Sequence, residues 1–556
     1  MFDRENPGFD AFVGNPPFLG GKRISTVLGN AYRDWLVELH EGANSNADIV
    51  AHFFRRAFSL IRFGGAFGLV ATNTIAQGDT RSSGLRWICE NGGEIFRATK
   101  RVKWPGDAAV VVSVLHVGRG ASDDRVLDGA DVPEITAFLF HRGSHADPMR
   151  LRSNADRCFN GSFVLGIGFT FDNTDKKGIA TPITEMHRLI GENPRNGECI
   201  FPYIGGEEVN TAPTHSHHRY VINFRNYPLR RTNVEGHWKG ADESQRRDWL
   251  RDGIVPFDYP APVAADYPEL LAIVEEKVKP ARLKLRGTPD GRRLKATWWQ
   301  FGRNRPELQT AITGLERVLA CAIVSNKICF TFLPTRMIFS HKLAVFPFQS
   351  SSAFCILQSN VHEIWGRFFS STMKDDINYS PSDCFETFPF PEGWETHPTL
   401  EVTGKAYYEH RAALMVRNDE GMTKTYNRFH DPYENDPDIS QLRELHATMD
   451  RAVLDAYGWT DIPTDCDFLL DYEIDEATWG RKKKPYRYRW PDPVRDDVLA
   501  RLLALNAKRA AQEGRAGASA TDAVQAEPVA ARPVAVRDDP AVPAQQRFSW
   551  TMRDGC

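Results

Sequence analysis

The most restrictive feature of this sequence lies near its start. It is a short apolar strand followed by a polar turn that two prolines stiffen. Residues 9–14 (Phe-Asp-Ala-Phe-Val-Gly) predict a β-strand, which is followed by Asn15, Pro16, Pro17 and Phe18. Each proline fixes its own φ angle and restricts the residue before it, so the turn is stiff before any ligand arrives. Because ligands of open α/β sheets bind at the carboxyl ends of the strands, this turn is a candidate binding site.

The turn has the chemistry needed to hold a planar amino group. The Asn15 amide oxygen and the Pro16 carbonyl oxygen are two acceptors that match the two hydrogens of an exocyclic amino group. Phe18 offers an aromatic face for a base that has been taken out of the duplex stack. The alternative is a proline turn that only ends a strand.

Asn15, Pro16, Pro17 and Phe18 resemble motif IV of the amino-methylating DNA methyltransferases. The resemblance implies S-adenosylmethionine as the cofactor, double-stranded DNA as the partner and these four residues as the catalytic site. The Asn15 and Pro16 oxygens would hold the amino group of a flipped base, and Phe18 would stack on that base. The leading asparagine favours adenine N6, because a leading serine would favour cytosine N4.

The next hundred residues alternate between helix and strand patterns. Residues 48–61 have apolar side chains at helical spacing, and Gly64 and Gly65 are expected to end the helix. The pattern is α/β and resembles motifs IV to VIII, the second half of the class I S-adenosylmethionine-dependent methyltransferase sheet. The buried strands are predicted at residues 66–71, 93–98 and 108–117.

The cofactor-binding half of such a sheet is not recognisable in this sequence, so the cofactor-binding residues are unknown. In the family, a glycine-rich turn and an acidic residue that hold the cofactor both precede motif IV. Only eight residues precede Phe9, and no such glycine motif follows it. We therefore expect the first strand to present an unpaired apolar edge, and an upstream segment or separate polypeptide to supply the cofactor half.

A glycine-rich stretch, residues 19–23 (Leu-Gly-Gly-Lys-Arg), follows the turn. It does not match the phosphate-binding loop of nucleoside triphosphatases, because Pro16 replaces the first glycine and Arg23 replaces the Ser or Thr. We expect a loop in which Lys22 and Arg23 contact the DNA backbone. Two ordinary surface charges on a solvated loop are the alternative.

A strongly basic segment, residues 277–305, contains ten basic residues and one acidic residue, Asp290. Because arginine and lysine neutralise phosphates and read guanine edges, this segment is a candidate DNA surface. The alternative is a solvated helix, and for Trp298 and Trp299 we expect core packing. The predicted DNA contacts here are Lys284, Arg286, Arg292, Arg293, Lys295, Arg303 and Arg305.

The overall composition requires DNA affinity to come from such local patches. The 556-residue chain suggests two to four domains, has a formal net charge of -3, and its nine cysteines include no Cys-x-x-Cys pair.

Charged residues at positions 3–5 exclude a signal peptide, and no apolar run could span a bilayer, so we predict a cytoplasmic protein. His215, His217 and His218 lack a Cys or acidic partner at ligand spacing, so no metal site is predicted.

Later segments extend the resemblance to the single-chain type IIG restriction–modification fusions, in which one polypeptide carries nuclease, adenine methyltransferase and target-recognition domains. The resemblance covers roughly residues 5–512. Pro289-Asp290 is not followed by Glu-x-Lys on a plausible strand, so cleavage is not predicted for this chain itself, and any nuclease would lie upstream. The segments that carry the resemblance are residues 298–302, 379–391, 423–430 and 456–459.

The chain is accordingly divided into five regions. Amphipathic helices are predicted at 439–457, before Gly458, and at 498–506. The Ala-, Pro-, Gly- and Arg-rich end cannot form a core. The regions are a partial methyltransferase domain (1–125), a connector (126–182), an α+β target-recognition domain (183–395), a helical C-terminal region (396–511) and a disordered tail (512–556).

The predicted function is site-specific methylation of adenine N6 in DNA, in a restriction–modification or phage-defence system. One alternative is a non-catalytic DNA-recognition subunit that has lost its cofactor half. Another is a protein glutamine N-methyltransferase, which uses the same turn on an amide nitrogen. The glutamine enzymes are small, whereas about 400 residues follow the catalytic half here.

Overall fold

The computed structural model describes residues 5–103, 111–120, 124–373, 376–470 and 484–521. Contacts divide the chain into a unit from Met1 to Ala511 and a second unit from Gln512 to Cys556. The N-terminal strands are β1 (Phe9–Gly14), β2 (Ile61–Thr72), β3 (Gly93–Lys103), β4 (Val111–Arg119), β5 (Val126–Leu127) and β6 (Ala130–Asp131).

The six described N-terminal strands form one sheet in the order β1-β2-β4-β3-β5-β6. β1 and β2 are parallel, and β4 runs antiparallel to both β2 and β3. The carboxyl ends of β1, β2 and β3 therefore lie at one edge of the sheet, which we call the carboxyl edge. β1 is the outermost strand of this described sheet, and its Val13 side chain is 92% exposed. The predicted strands at 66–71, 93–98 and 108–117 correspond to β2, β3 and β4, although residues 108–110 lie outside the described residues.

The longest of the N-terminal helices packs across this sheet. α3 buries an apolar stripe of Val50, Phe54 and Phe58, and the Phe54 ring meets the Phe67 ring of β2 edge-on at 5.6 Å. These side chains recur at helical spacing, which explains why the sequence predicts this helix well. The described N-terminal helices are α1 (Gly21–Leu28), α2 (Asn30–Leu39), α3 (Ile49–Leu60), α4 (Gly78–Arg81) and α5 (Trp87–Glu90).

The prediction that Gly64 and Gly65 end the helix is wrong. α3 ends at Leu60, and β2 begins at the next residue. The two glycines lie inside β2, where the pairing with β1 shifts between Phe9 and Ala11. A Cβ atom on Gly65 would lie 2.9 Å from the Phe9 carbonyl oxygen, so the close approach of β1 requires glycine there. Pairing with a strand about 50 residues earlier, which no local pattern reveals, ends the helix.

The described middle of the chain contains two four-stranded sheets. The strands are β7 (Phe159–Asn160), β8 (Thr170–Phe171), β9 (Ile200–Ile204), β10 (Arg219–Ile222), β11 (Arg230–Arg231), β12 (Ile254–Val255), β13 (Arg317–Ala322), β14 (Val324–Ser325), β15 (Phe330–Pro334), β16 (Ile338–Phe339), β17 (Leu343–Phe346), β18 (Ser371–Met373) and β19 (Asp376–Asn378). One described sheet has the order β16-β9-β10-β8 and the other β15-β13-β17-β7. Residues 126–182, predicted as a connector, contribute β7 and β8 to these two sheets and β5 and β6 to the N-terminal sheet.

Helices cover the two middle sheets and bury the tryptophans of the basic segment. Trp298 is 7% exposed and Trp299 is 2% exposed, so the prediction that both belong to the core is confirmed. The helices are α6 (Ile183–Glu192), α7 (Gly206–Thr211), α8 (Glu243–Asp252), α9 (Pro268–Lys277), α10 (Lys279–Leu283), α11 (Pro289–Ala296), α12 (Pro306–Ala311), α13 (Ser351–Gln358) and α14 (Asn360–Phe369).

The C-terminal region is mostly helical, with one described hairpin of β20 (Asp467–Leu470) and β21 (Tyr486–Arg489). Its helices are α15 (Pro398–Asn418), α16 (Met422–Phe429), α17 (Pro437–Ala456) and α18 (Asp492–Thr521). α17 ends before Gly458, which has a φ of +75°, as the sequence predicts. α18 is longer than the helix predicted at 498–506. It continues past residue 512, where the disordered tail was expected to start. Residues 522–556 of that predicted tail lie outside the described residues. None of the described helices combines the length and apolar character needed to cross a membrane.

Candidate functional site

The predicted catalytic turn lies at the carboxyl edge of the N-terminal sheet. β1 ends at Gly14, as predicted, and Asn15 follows directly. Asn15 and Pro17 are exposed, whereas Pro16 is buried. Phe18 is half-buried and packs on the cluster that α3 forms with the sheet. Within the described part of the chain the Asn15 side chain makes no hydrogen bond, which leaves its amide oxygen available to a ligand.

A single carboxylate, that of Asp48, fixes the exit of the turn. Its Oδ1 accepts hydrogen bonds from the Leu19 N–H at 3.1 Å and the Val50 N–H at 3.0 Å. Asp48 therefore caps α3 and holds the residue that follows Phe18 in the same contact. The Asp48 N–H donates to Thr80 Oγ1 at 3.0 Å, which adds a tie to α4. Asp48 therefore attaches the exit of the stiff Asn15–Phe18 turn to the start of helix α3.

Replacing Asp48 by alanine is expected to lower the free energy of unfolding by about 2 kcal/mol, because a helix cap is lost and the Leu19 N–H loses its acceptor. Urea unfolding followed by circular dichroism measures this change. Asp48→Asn, which keeps a cap oxygen, should recover most of the loss, and the exposed Asp34→Ala should be neutral. Equal stability of Asp48→Ala and the unmodified chain would contradict the anchoring role.

Lys22 and Arg23 lie in the first turns of helix α1, so the predicted loop is wrong. Gly21, the first residue of this helix, packs against the backbone of Asn46, and a Cβ atom on Gly21 would lie 2.3 Å from it. Both cations are exposed and make no ion pair within the described residues. Their predicted contact with DNA stays a prediction.

The seven predicted basic residues of the recognition region divide into paired and unpaired groups. Arg293 pairs with Asp290 at 2.9 Å, and Arg305 pairs with Glu307 at 3.4 Å. Arg292 donates to the Gly287 carbonyl oxygen. In the part of the chain that the structure describes, the other four side chains make no ion pair, and they face solvent fully or in part. These four are Lys284, Arg286, Lys295 and Arg303.

Not every basic residue of the 277–305 segment is a surface charge. Arg282 is 2% exposed and donates to the carbonyl oxygens of Val164, Leu165 and Gln300. Burial lowers its pKa to about 10. Arg282 therefore has a structural role, because it connects α10 to the predicted connector. A count of charges along the sequence cannot distinguish Arg282 from the exposed basic residues around it.

A cavity of about 900 Å³ opens at the same carboxyl edge, but the Asn15–Phe18 turn does not line it. Neutral polar side chains that follow β2 or begin β4, including Asn73, Thr74, Gln77 and Ser113, line part of this cavity. Charged side chains also line it, most of them from β3, α14, β21 and α18. These are Lys100, Arg101, Asp147, Glu363, Arg367, Asp383, Arg487, Arg489, Asp492, Arg495 and Asp496.

Sequence reasoning missed this cavity because its walls come from residues up to about 400 positions apart. Lys100 Nζ lies 2.6 Å from Asp496 Oδ2, and the Arg101 guanidinium lies 2.9 Å from the same oxygen. Asp496 is desolvated by burial, yet the neighbouring charges of Arg495, Lys100 and Arg101 lower its pKa to about 2.

Two segments of the chain match family models. Residues 8–127 match the model described as MmeI, DNA-methyltransferase domain, and residues 260–392 match MmeI, target recognition domain. The first segment contains the Asn15–Phe18 turn, and the second contains the basic residues from Lys284 to Arg305. No curated protein is significantly similar to the chain.

Two solved structures are also similar. The first is the type IIL restriction-modification enzyme MmeI in complex with DNA, at 19% identity and a TM-score of 0.49, over 90% of this chain and 57% of that one. The second is the type IIG restriction endonuclease BpuSI, at 11% identity and a TM-score of 0.29, over 81% of this chain and 54% of that one. This chain spans little more than half the length of either relative.

The resemblance predicted from the sequence is therefore confirmed at the level of domains. The match to the methyltransferase model begins with the strand that delivers the turn, and the match to the recognition model covers the basic segment. Residues 8–127 of this chain are therefore similar to a DNA-methyltransferase domain, and residues 260–392 to a target recognition domain, both of the MmeI type.

Proposed function

We propose that this protein is a site-specific DNA methyltransferase that modifies adenine N6, with S-adenosylmethionine as the methyl donor, in a restriction–modification or phage-defence system. The observation that carries the proposal is the Asn15–Phe18 turn at the carboxyl edge of the sheet, within the segment that matches the methyltransferase family. The target recognition domain in the same chain favours DNA over a protein glutamine as the substrate.

The residues of the turn would act on a flipped adenine by positioning it. The Asn15 amide oxygen and the Pro16 carbonyl oxygen accept the two N6 hydrogens, which keeps electron density on the nitrogen as it becomes tetrahedral. The Phe18 ring, held by its packing on the α3 cluster, stacks on the base. Such a transfer depends on orientation and exclusion of water, so no general base is invoked.

The position of β1 in the sheet supports a cofactor half that lies outside the described sheet. β1 is the outermost strand of the described sheet, and no glycine-rich turn lies beyond it there. We infer that an upstream segment or a separate polypeptide supplies the cofactor half. The 92% exposed Val13 on β1 and the exposed Val27, Tyr32 and Trp35 of α1 and α2 support an apolar partner surface.

Methyl transfer to mixed-sequence duplex DNA, followed by nucleoside mass spectrometry, tests the function. We expect N6-methyladenine when the chain is combined with its upstream polypeptide and S-adenosylmethionine, and no methylated base from the chain alone. N4-methylcytosine would contradict the choice of base. If neither sample contained a methylated base while duplex DNA was still bound, the chain would be a recognition subunit and the enzyme assignment would be wrong.

A further inference from the structure

Two consecutive cations, Lys100 and Arg101, are directed into the carboxyl-edge cavity by an irregularity in β3. The pairing of β3 with β4 shifts between Thr99 and Val102, so β3 has one more residue than β4 over this stretch. Arg101 has a φ of +55°, a left-handed conformation that is uncommon for a residue other than glycine. A bulge of this kind redirects side chains, and here both cations line the cavity.

The cations around Arg101 outnumber the carboxylates that hold them. The Arg101 guanidinium contacts Asp496 at 2.9 Å and Asp492 at 3.3 Å. Arg495 contacts the same two carboxylates, each at 3.0 Å. Arg489 contacts Asp492 at 2.8 Å, and Lys100 contacts Asp496 and, at 3.4 Å, Asp128. Four cations thus share three carboxylates, Asp128, Asp492 and Asp496, of which only the last two line the cavity.

The cluster is partly buried, which makes its charge imbalance costly. The exposed fractions of the side chains are 9% for Lys100, 10% for Asp496, 18% for Arg489, 28% for Arg495 and 32% for Arg101. Charges in such an environment are screened less than charges in water, so an excess cation attracts a counterion strongly. Neutral side chains such as Asn73, Thr74 and Ser113 line the same cavity and supply hydroxyl and amide groups, and its volume of about 900 Å³ is as large as typical ligand sites. The other charged residues of the described lining are Asp147, Glu363, Asp383, Arg367 and Arg487.

We propose that this cluster is a binding site for a phosphodiester of the DNA backbone, in which the phosphate competes with Asp492 and Asp496 for Arg101 and Lys100. The phosphate provides the missing negative charge, and arginine recognises it through paired hydrogen bonds. The identification of the anion as DNA rests on the proposed function. The position of the site at the carboxyl edge, where the catalytic turn also lies, places a backbone contact on the side of the sheet that the base would enter.

Fluorescence anisotropy with a mixed-sequence duplex, measured over a series of salt concentrations, tests this site in the full chain. Arg101→Ala should weaken binding by about 5-fold to 10-fold and reduce the dependence of affinity on salt by about one phosphate contact. Asp496→Asn should tighten binding several-fold, because it removes the competing carboxylate. The matched control is Arg142→Ala, since Arg142 also lies close to α18, 3.9 Å from Asp497, but outside the cavity.

If the cluster only stabilises the fold, the variants should affect DNA binding differently. In that case Asp496→Asn would weaken DNA binding and lower the melting temperature together, or Arg101→Ala would leave the affinity and its salt dependence unchanged in a folded chain. Either result overturns the phosphate site. Absence of duplex binding by the unmodified chain would instead overturn the proposed function, on which this inference depends.

Discussion

Replacement of Asn15 by alanine is expected to reduce adenine methylation by at least about 100-fold, because one of the two acceptors for the amino hydrogens is lost where charge develops. Asn15 is exposed and has no side-chain hydrogen bond within the described residues, so the free energy of unfolding should change by less than about 0.5 kcal/mol. Affinity for duplex DNA should stay the same, because the basic residues are untouched.

The measurement compares initial rates of methyl transfer by the Asn15→Ala variant and the unmodified chain, each combined with the proposed cofactor half, and uses anisotropy for DNA affinity. Asn30→Ala is a matched control, because Asn30 is exposed at the start of α2 and outside the turn. Methylation by Asn15→Ala at the normal rate would show that the turn only ends a strand. Loss of both methylation and DNA binding would indicate a general structural defect.

Simultaneous replacement of Lys284, Arg286, Lys295 and Arg303 by alanine is expected to weaken binding to duplex DNA by at least about 10-fold at moderate salt. These four side chains have no ion pair within the described residues, so each is available to neutralise a phosphate. Because each lost phosphate contact reduces the slope of log affinity against log salt by about 0.9, the slope should decrease by about 3 to 4.

Arginines that already have acidic partners provide the control for this variant. Arg188 pairs with Glu185 and Glu192, and Arg251 pairs with Asp248 and Asp252, although both arginines are largely exposed. Their replacement by alanine should leave the salt slope unchanged. If the control and the fourfold variant gave the same slope, the 284–303 surface would be solvated charge and the DNA contacts would lie elsewhere.

Local patterns predicted well those features that depend on neighbouring residues. The end of β1, the amphipathic body of α3 and the end of α17 before Gly458 follow from strand, helix and stop signals within a few positions. The burial of Trp298 and Trp299 follows from their large apolar surface. The catalytic role of the Asn15–Phe18 turn stays a prediction, which rests on four adjacent residues.

Features that depend on contacts between residues far apart in the sequence could not be predicted from local patterns. The helix that contains Lys22 and Arg23 begins at Gly21, which packs closely against Asn46, and Gly64 and Gly65 lie in a strand because β1 pairs with β2. The predicted connector enters three sheets through pairings with residues elsewhere in the chain. In each case a long-range contact supplies free energy that local propensity does not contain.

The Asn15–Phe18 turn, the basic segment and the resemblance to two domain types can be recognised from the sequence, because each is encoded in contiguous residues. Which cations are available to a ligand becomes visible only in the folded chain. Arg282 is buried, Arg293 is paired, and Lys100 and Arg101 contact Asp492 and Asp496 of α18. The availability of a charge depends on burial and on the opposite charges around it, and folding sets both.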